Sequence, residues 1–142
     1  NRGTRARGFL SRPGHGLSEN QVDEILAETL NVLDDPACDG LFGLDSKAEV
    51  SVAGVLNGVA VSGRIDRLLV TETKIKVLDF KTNRIPPKSA QHIPEIYLRQ
   101  MATYRSLLQR IYKNQQIECI LVWTAGPVLT TLDAKAMDML AP

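Results

Sequence analysis

Three acidic residues and one lysine are spaced so that a β-sheet could bring them together. Asn57-Gly58 is the strongest two-residue hairpin signal in the chain, and counting outward from it places Glu49 opposite Asp66. The next turn along the chain, counted with two or with four loop residues, places Asp66 opposite Asp79. Opposed residues of an antiparallel pair share a face, and so does Lys81, two residues after Asp79. The sequence therefore predicts a row of three carboxylates beside an amine.

Such a row needs a counter-charge, because two unit charges about 5 Å apart repel by roughly 3 kcal/mol at an effective dielectric near 20. Oxygen ligands at a partly open site suit Mg²⁺ or Mn²⁺. Asp66 and Asp79 would hold the metal, Glu49 would be a further ligand, directly or through water, and Lys81 would orient or deprotonate the attacking water. The chemistry predicted is metal-assisted hydrolysis of a phosphodiester. The alternative is a solvated face on which the acids align by chance.

The elements that must position these residues follow from periodicity and turn signals. Helices are predicted over residues 1–11, from the Ser18 N-cap (with Gln21 completing a capping box) to residue 34, over 94–112 and over 134–140. Strands are predicted over residues 49–53, 59–70, 74–81, 117–124 and 128–132. This order indicates an α/β fold, a mixed central sheet flanked by helices.

The alternation within the strands predicts where the core lies. Side chains opposite the acids should be buried, namely Val50, Val52, Val61, Ile65, Leu69, Leu78 and Phe80. The acid-bearing face should carry a groove over small residues, with a helix covering its apolar part. The buried side of the long helix is predicted to comprise Ile96, Tyr97, Met101, Tyr104, Leu107, Leu108 and Ile111.

Several polar residues outside the row are candidates for supporting or binding roles. Gln100 and Tyr104 lie four apart on one helix face, although a solvated glutamine and a plain core tyrosine are the alternatives. Arg64 lies on the acid face, and Arg84 and Lys88 lie in the loop after Lys81, so all three are candidate phosphate contacts. Other basic residues have simpler interpretations. Arg67 is predicted to form a structural pair, and His15 and His92 are predicted to lie in surface loops.

Composition excludes several classes of protein. The chain has 142 residues, a net charge of +1 and 44% hydrophobic residues, which fits one domain over residues 1–142 with its core at 48–133. Two cysteines are too few for a disulfide scaffold, a four-cysteine zinc site or a cysteine-ligated iron–sulfur cluster. No apolar run approaches the roughly 18 residues of a membrane span. The start at Asn1 predicts a piece of a longer protein.

Three segments together resemble a known family. They are Gly-Arg-Ile-Asp-Arg-Leu at 63–68, Val-Leu-Asp-Phe-Lys-Thr at 77–82 and Gln-Met-Ala-Thr-Tyr at 100–104. The acid strand, the Asp-x-Lys strand and the Gln-x-x-x-Tyr helix resemble the RecB-type branch of the PD-(D/E)XK nucleases, in that family's order. The longer segments at 63–68, 79–84, 97–105 and 121–124 are more similar still to AddA-type nuclease domains, which lie at the C-terminus of bacterial helicase–nuclease subunits. The resemblance is good from about residue 49 to residue 123.

The resemblance implies a restriction-endonuclease-like core and assigns roles within it. Asp66 and Asp79 would be metal ligands, the Phe80 carbonyl would add a ligand, Lys81 would be the catalytic lysine and Glu49 would match the family's earlier acid. The implied cofactor is Mg²⁺ or Mn²⁺. RecB-type nucleases also take a metal ligand from a histidine on an earlier helix, and no histidine here matches it. The isolated fragment is therefore expected to bind metal weakly and to be weakly active or inactive.

The same resemblance implies a biological setting. Gln100 and Tyr104 would support the active site and its DNA strand. The domain would be an exonuclease acting in double-strand break repair and recombination in the bacterial cytoplasm, with an AddB-type partner and no membrane association. ATP would bind only to a helicase part outside this chain, because the chain has no Walker sequence. The alternative is a catalytically silent DNA-binding or assembly module that keeps the fold.

Overall fold

The computed structural model describes residues 1–38, 40–126 and 128–142. The helices in that part of the chain are α1 (Arg2–Leu10), α2 (Glu19–Asp34), α3 (Glu95–Ile111) and α4 (Ala134–Leu140). The strands are β1 (Ser46–Leu56), β2 (Val59–Val70), β3 (Lys74–Lys81), β4 (Gln116–Trp123) and β5 (Val128–Thr131). Short 3₁₀ turns lie at Pro13–His15, Pro36–Cys38 and Ala90–His92. The predicted elements are thus present, with β1 three residues longer at each end than expected.

The five strands form one sheet in the order β1-β2-β3-β4-β5. The first three strands are antiparallel, β3 and β4 are parallel, and β5 is antiparallel to β4. The parallel pair requires a long crossover, which α3 supplies. The predicted mixed α/β sheet is therefore confirmed.

Turn chemistry sets the register of the two hairpins. Asn57 and Gly58 have φ values of 49° and 82°, as a type I′ turn requires, and Leu56 pairs with Val59. At the second turn Val70 pairs with Ile75, so the loop has four residues. Both counts match the predicted register.

Apolar side chains cover both faces of the sheet. For part of β1 and β2, the face on which they lie differs from the predicted one. One core cluster lies against α3 and α4, and the other lies against α2 and the 3₁₀ turn that follows it. Leu69, Leu78 and Phe80 belong to the α2 side. Val50, Val52, Val61 and Ile65, predicted on that same side, belong instead to the α3 side, with Leu68 and Val77.

The reason is a reversal of the alternation near the middle of β2. A Cβ on Gly63 would touch Tyr104 of α3, whereas Arg67 donates to the Leu41 carbonyl and to Ser46 on the opposite side. Opposite this point Glu49 has a left-handed φ of 55°, and it is skipped in the ladder between Ala48↔Arg67 and Val50↔Ile65. A left-handed residue interrupts the alternation of side chains between the two faces. The odd-numbered residues of β2 therefore face α3 before this point and the opposite side after it.

Helix α3 buries a narrower face than its sequence predicts. Met101, Tyr104, Leu107 and Leu108 are buried as expected. Ile96 and Ile111, predicted on the same side, are 71% and 63% exposed. They are the second and the last residue of the helix, so the buried face is shorter at both ends than predicted.

No helix in the described part of the chain is both long and apolar enough to cross a bilayer.

The two cysteines, Cys38 and Cys119, are buried and unpaired with each other. Burial raises the pKa of both thiols, that of Cys119 to about 12. At pH 8 only about one Cys119 thiol in ten thousand is then the reactive thiolate. We expect a disulfide-exchange reagent to label neither cysteine in the native protein and both after unfolding in urea. Rapid native labelling would contradict this burial.

Candidate active site

The centre of the site is an ion pair at the carboxyl end of β3. The Lys81 ammonium lies 2.5 Å from Oδ2 of Asp79, and the two side chains are only 11% and 5% exposed. Strand β3 is flanked by β2 and β4, so both residues project from the middle of the sheet. Asp79 is the one fully buried charged residue among those described.

Asp79 is held in an environment that opposes its charge. Burial raises the pKa of this carboxyl, the bond and charge of Lys81 act in the opposite direction, and the charge of Asp66 raises the pKa further. Because the net direction is upward, Lys81 does not fully compensate for the lost water. An additional cation bound here would stabilise the ionised form of Asp79.

The side chain of Asp66, on β2, is hydrogen-bonded to the backbone of β3. Its Oδ2 accepts a hydrogen bond from the Phe80 backbone N–H at 2.8 Å. The β2–β3 ladder runs as far as Arg67↔Leu78, so this side-chain bond continues the contact between the strands one position further. The two aspartates therefore face the same end of β3.

A chain of hydrogen bonds connects Lys81 to α3 and back to β2. The ammonium donates to Oε1 of Gln100 at 3.0 Å, and Nε2 of Gln100 donates to the Tyr104 hydroxyl at 3.1 Å. The Tyr104 hydroxyl donates in turn to the carbonyl of Arg64 at 2.8 Å. Gln100 and Tyr104 are thus positioning residues for Lys81, and neither is free in solvent.

Tyr97 adds a second support that the sequence did not assign. The Lys81 ammonium lies 4.0 Å from the centre of its ring, within the range of a cation–π contact. The hydroxyl of Tyr97 donates to Asn83 at 3.2 Å. The sequence placed Tyr97 on the buried face of α3, one turn before Gln100, and assigned it no role in the site. Its spacing one turn before Gln100 was the available signal.

Gly63 is the other residue missed from the sequence. A Cβ built on it would lie 2.4 Å from Cε1 of Tyr104, so the absence of a side chain is what lets this ring reach β2. A glycine inside a strand often marks such a close approach, and this was the signal to read.

Comparison with known families shows which superfamily the chain belongs to. The family model described as the PD-(D/E)XK nuclease superfamily matches residues 11–137. The chain belongs to this superfamily. Its five-stranded mixed sheet with four flanking helices has the corresponding restriction-endonuclease-like fold. No curated protein is significantly similar to the chain in sequence.

Solved structures also match this chain. A protein named "Putative exonuclease" from Eubacterium rectale superposes with a TM-score of 0.61 at 11% identity, over 94% of this chain and 55% of that one. A structure named SSO0001 gives a TM-score of 0.42 at 15% identity, over 98% and 67%. This nuclease-superfamily chain thus spans about half the length of the Eubacterium rectale protein.

Glu49 does not join the two aspartates, so the predicted row of three carboxylates is wrong at this position. Its side chain is 62% exposed and pairs with Arg64 at 3.4 Å. The left-handed backbone at Glu49 takes the residue out of the ladder, although the count placed it opposite Asp66. In the described ranges, no three His, Cys, Asp or Glu side chains are grouped so as to hold a metal.

The side chains predicted to contact phosphate are exposed in the structure. Arg64 is exposed beside Glu49, and Arg84 pairs with Glu24 at 3.7 Å across the surface. Lys88 is exposed in the loop after β3. Arg67 faces away and packs over the Phe42 ring, which agrees with its expected structural role.

The donor set fits the divalent cation that PD-(D/E)XK nucleases generally use. Asp66 and Asp79 supply hard carboxylate oxygens at one end of β3, which Mg²⁺ and Mn²⁺ prefer. The buried Asp79, whose pKa is raised even beside Lys81, is the observation that supports the fit, since a cation favours its ionised form. The described side chains provide two acidic ligands, so backbone, water and substrate oxygens would complete the coordination.

Proposed function

We propose that this chain is a metal-dependent DNA nuclease domain that hydrolyses phosphodiester bonds. The proposal depends on one observation above all, the buried Asp79–Lys81 pair beside Asp66 at the end of β3. A buried ion pair of this kind seldom adds stability by itself, so its presence is better explained by chemistry.

Each residue then has a distinct role. Asp66 and Asp79 would hold Mg²⁺ or Mn²⁺, with the Phe80 carbonyl as a further candidate ligand; the ion polarises the phosphoryl oxygen and lowers the pKa of water. Lys81 donates hydrogen bonds to the phosphate and the attacking water, and its charge offsets the negative charge that develops on phosphorus. Gln100 accepts a hydrogen bond from one N–H group of Lys81 and so fixes where the other N–H groups of Lys81 point.

The finer proposal is an AddA-type exonuclease in double-strand break repair and recombination. It is supported by the resemblance of four segments to that type, at 63–68, 79–84, 97–105 and 121–124. On this proposal an ATP-driven helicase and an AddB-type partner act with the domain, and DNA is the substrate.

One observation favours a second candidate, a catalytically silent DNA-binding or assembly module. The exposed Glu49 leaves two acidic ligands instead of three. The complete Asp66, Asp79 and Lys81 set argues for the enzyme, because a silent module would tolerate the loss of any of them.

Cleavage of an end-labelled DNA duplex in Mn²⁺ tests the two candidates, and it uses the longer protein that supplies the upstream histidine ligand expected from the resemblance, because the fragment alone is expected to be weakly active or inactive. Wild type should release labelled product, and Asp79→Ala and Lys81→Ala should not. Lys113→Ala, a change to an exposed lysine after α3, serves as the control and should match wild type. Equal activity in all four proteins would place the activity elsewhere, and no activity in any would favour the silent module.

The peripheral cations predict a salt effect. If Arg64, Arg84 and Lys88 contact phosphates, each alanine variant should lower the slope of log K against log salt for duplex binding by about one. Lys113→Ala should leave the slope unchanged. Fluorescence anisotropy at several salt concentrations measures it, and unaltered slopes would remove these residues from the DNA interface.

A further inference from the structure

A groove of about 400 Å³ lies next to the candidate active site, along the loop that follows β3. Asn83 stands at its near end. The Tyr97 hydroxyl donates to Asn83, while the Tyr97 ring contacts the Lys81 ammonium. Tyr97 thus connects Asn83, which lines the groove, to Lys81, so a molecule in the groove would lie one side chain away from the Lys81 ammonium.

The walls of the groove combine a stiff apolar surface with positive charge. Ile85, which is 83% exposed, and the half-buried Pro86 and Pro87 form the apolar part. Lys88 and His92 lie along the rim, and no acidic residue is among the described residues that line it. Prolines have fixed φ angles, so this surface loses little entropy when a ligand is bound.

His92 is held in place in spite of its exposure. It ends the 3₁₀ turn Ala90–His92, its Nδ1 lies 2.8 Å from the Ser89 hydroxyl, and the next residue, Ile93, is buried. An exposed aromatic ring with a fixed orientation is a surface on which a planar group can stack.

We propose that this groove binds the base and sugar of an unpaired nucleotide adjoining the phosphate to be cleaved. His92 and Ile85 contact the face of the base, and Lys88 contacts the next phosphate. Base faces are accessible in single strands and covered in a duplex, so the groove selects a single-stranded segment. The inference rests on the proposed nuclease function and adds to it a nucleotide subsite with named contact residues.

Binding of a fluorescein-labelled dT₁₂ strand to the full chain in EDTA tests this, because no metal is present to support cleavage. His92→Ala and Ile85→Ser are expected to weaken the Kd by about tenfold each, as loss of a base contact typically does. The matched controls are His15→Ala, in the surface turn after α1, and Ile111→Ser, an exposed isoleucine at the other end of α3. Both controls should stay within twofold of wild type.

Wild-type-like Kd values for His92→Ala and Ile85→Ser would overturn the proposal, and so would an equal weakening of blunt-duplex binding. As a measurement independent of variants, the His92 ring proton signals of the wild-type protein should shift on adding dT₁₂ while those of His15 should not. Mn²⁺-dependent cleavage by wild type is measured separately. Absent cleavage with selective dT₁₂ losses would contradict the nuclease function alone, whereas normal cleavage with unchanged Kd values would overturn the subsite.

Discussion

Asp79→Asn should abolish nuclease activity and at the same time raise the melting temperature of the metal-free protein. Activity should fall by at least about a hundredfold, since even outer-shell changes at metal sites cost 10- to 100-fold. Stability should rise because burial, with the charge of Asp66, holds the pKa of Asp79 above its ordinary value despite Lys81. Asparagine has the shape of the neutral acid and needs no such compensation.

The pH dependence follows from the direction of that shift. Below the unfolded-state pKa of an aspartate, about 3.9, Asp79 is protonated in both states and does not affect stability. As the pH rises, the unfolded chain releases its proton first, so the free energy of unfolding falls until the raised native pKa is passed. Wild type in EDTA should lose stability over this interval, and Asp79→Asn should lose less.

Thermal unfolding in EDTA from pH 3.5 to pH 8 checks the predicted change in stability. Mn²⁺-dependent cleavage measured at pH 8 checks the predicted loss of activity. Asp45→Asn, the same change at an exposed turn acid, is the control and should alter neither. A lower melting temperature for Asp79→Asn at pH 8 would mean that the Lys81 ion pair stabilises the fold more than burial of the carboxylate destabilises it. The assignment of Asp79 as a site under electrostatic strain would then be wrong.

The sequence could predict most of this site because turns and strand periodicity are local. The Asn57-Gly58 turn sets the β1–β2 register and the four-residue loop sets the β2–β3 register, so Asp66 and Asp79 come together as counted. Counting residues from the turns could not predict the left-handed φ of Glu49. Nothing in a glutamate predicts that conformation, and it alone removes the third acid from the row.

Side-chain roles that depend on packing between elements were also beyond the sequence. Gln100 and Tyr104 were recognised by their spacing on one helix, but their partners, Lys81 and the Arg64 carbonyl, follow only from how α3 crosses the sheet. Tyr97 was predicted to be buried and in fact contacts the lysine. Spacing within an element can be read from the sequence, whereas the angle between elements cannot.

Gly63→Ala should disable the site without touching any charged residue. The new methyl group would lie 2.4 Å from Cε1 and 3.1 Å from the hydroxyl of Tyr104, so the ring must move. Its hydroxyl then loses its place between Gln100 and the Arg64 carbonyl, and Gln100 no longer fixes Lys81. Misplacing a catalytic group by about 1 Å can reduce the rate about a hundredfold, and overpacking costs typically 1–3 kcal/mol of stability.

The matched control is Gly54→Ala, whose Cβ would lie 2.7 Å from Cδ2 of Leu107 on the same helix. It crowds α3 in the same way but has no connection to Lys81, so it should lower the melting temperature and leave cleavage by the folded protein unchanged. A double-mutant cycle gives the sharper result. Once Tyr104→Ala has removed the ring, Gly63→Ala should cost little more in stability or in rate, since the atom it displaces is gone. Additive effects in that cycle would show that Gly63 acts through something other than Tyr104, and Lys81 would then need a different support.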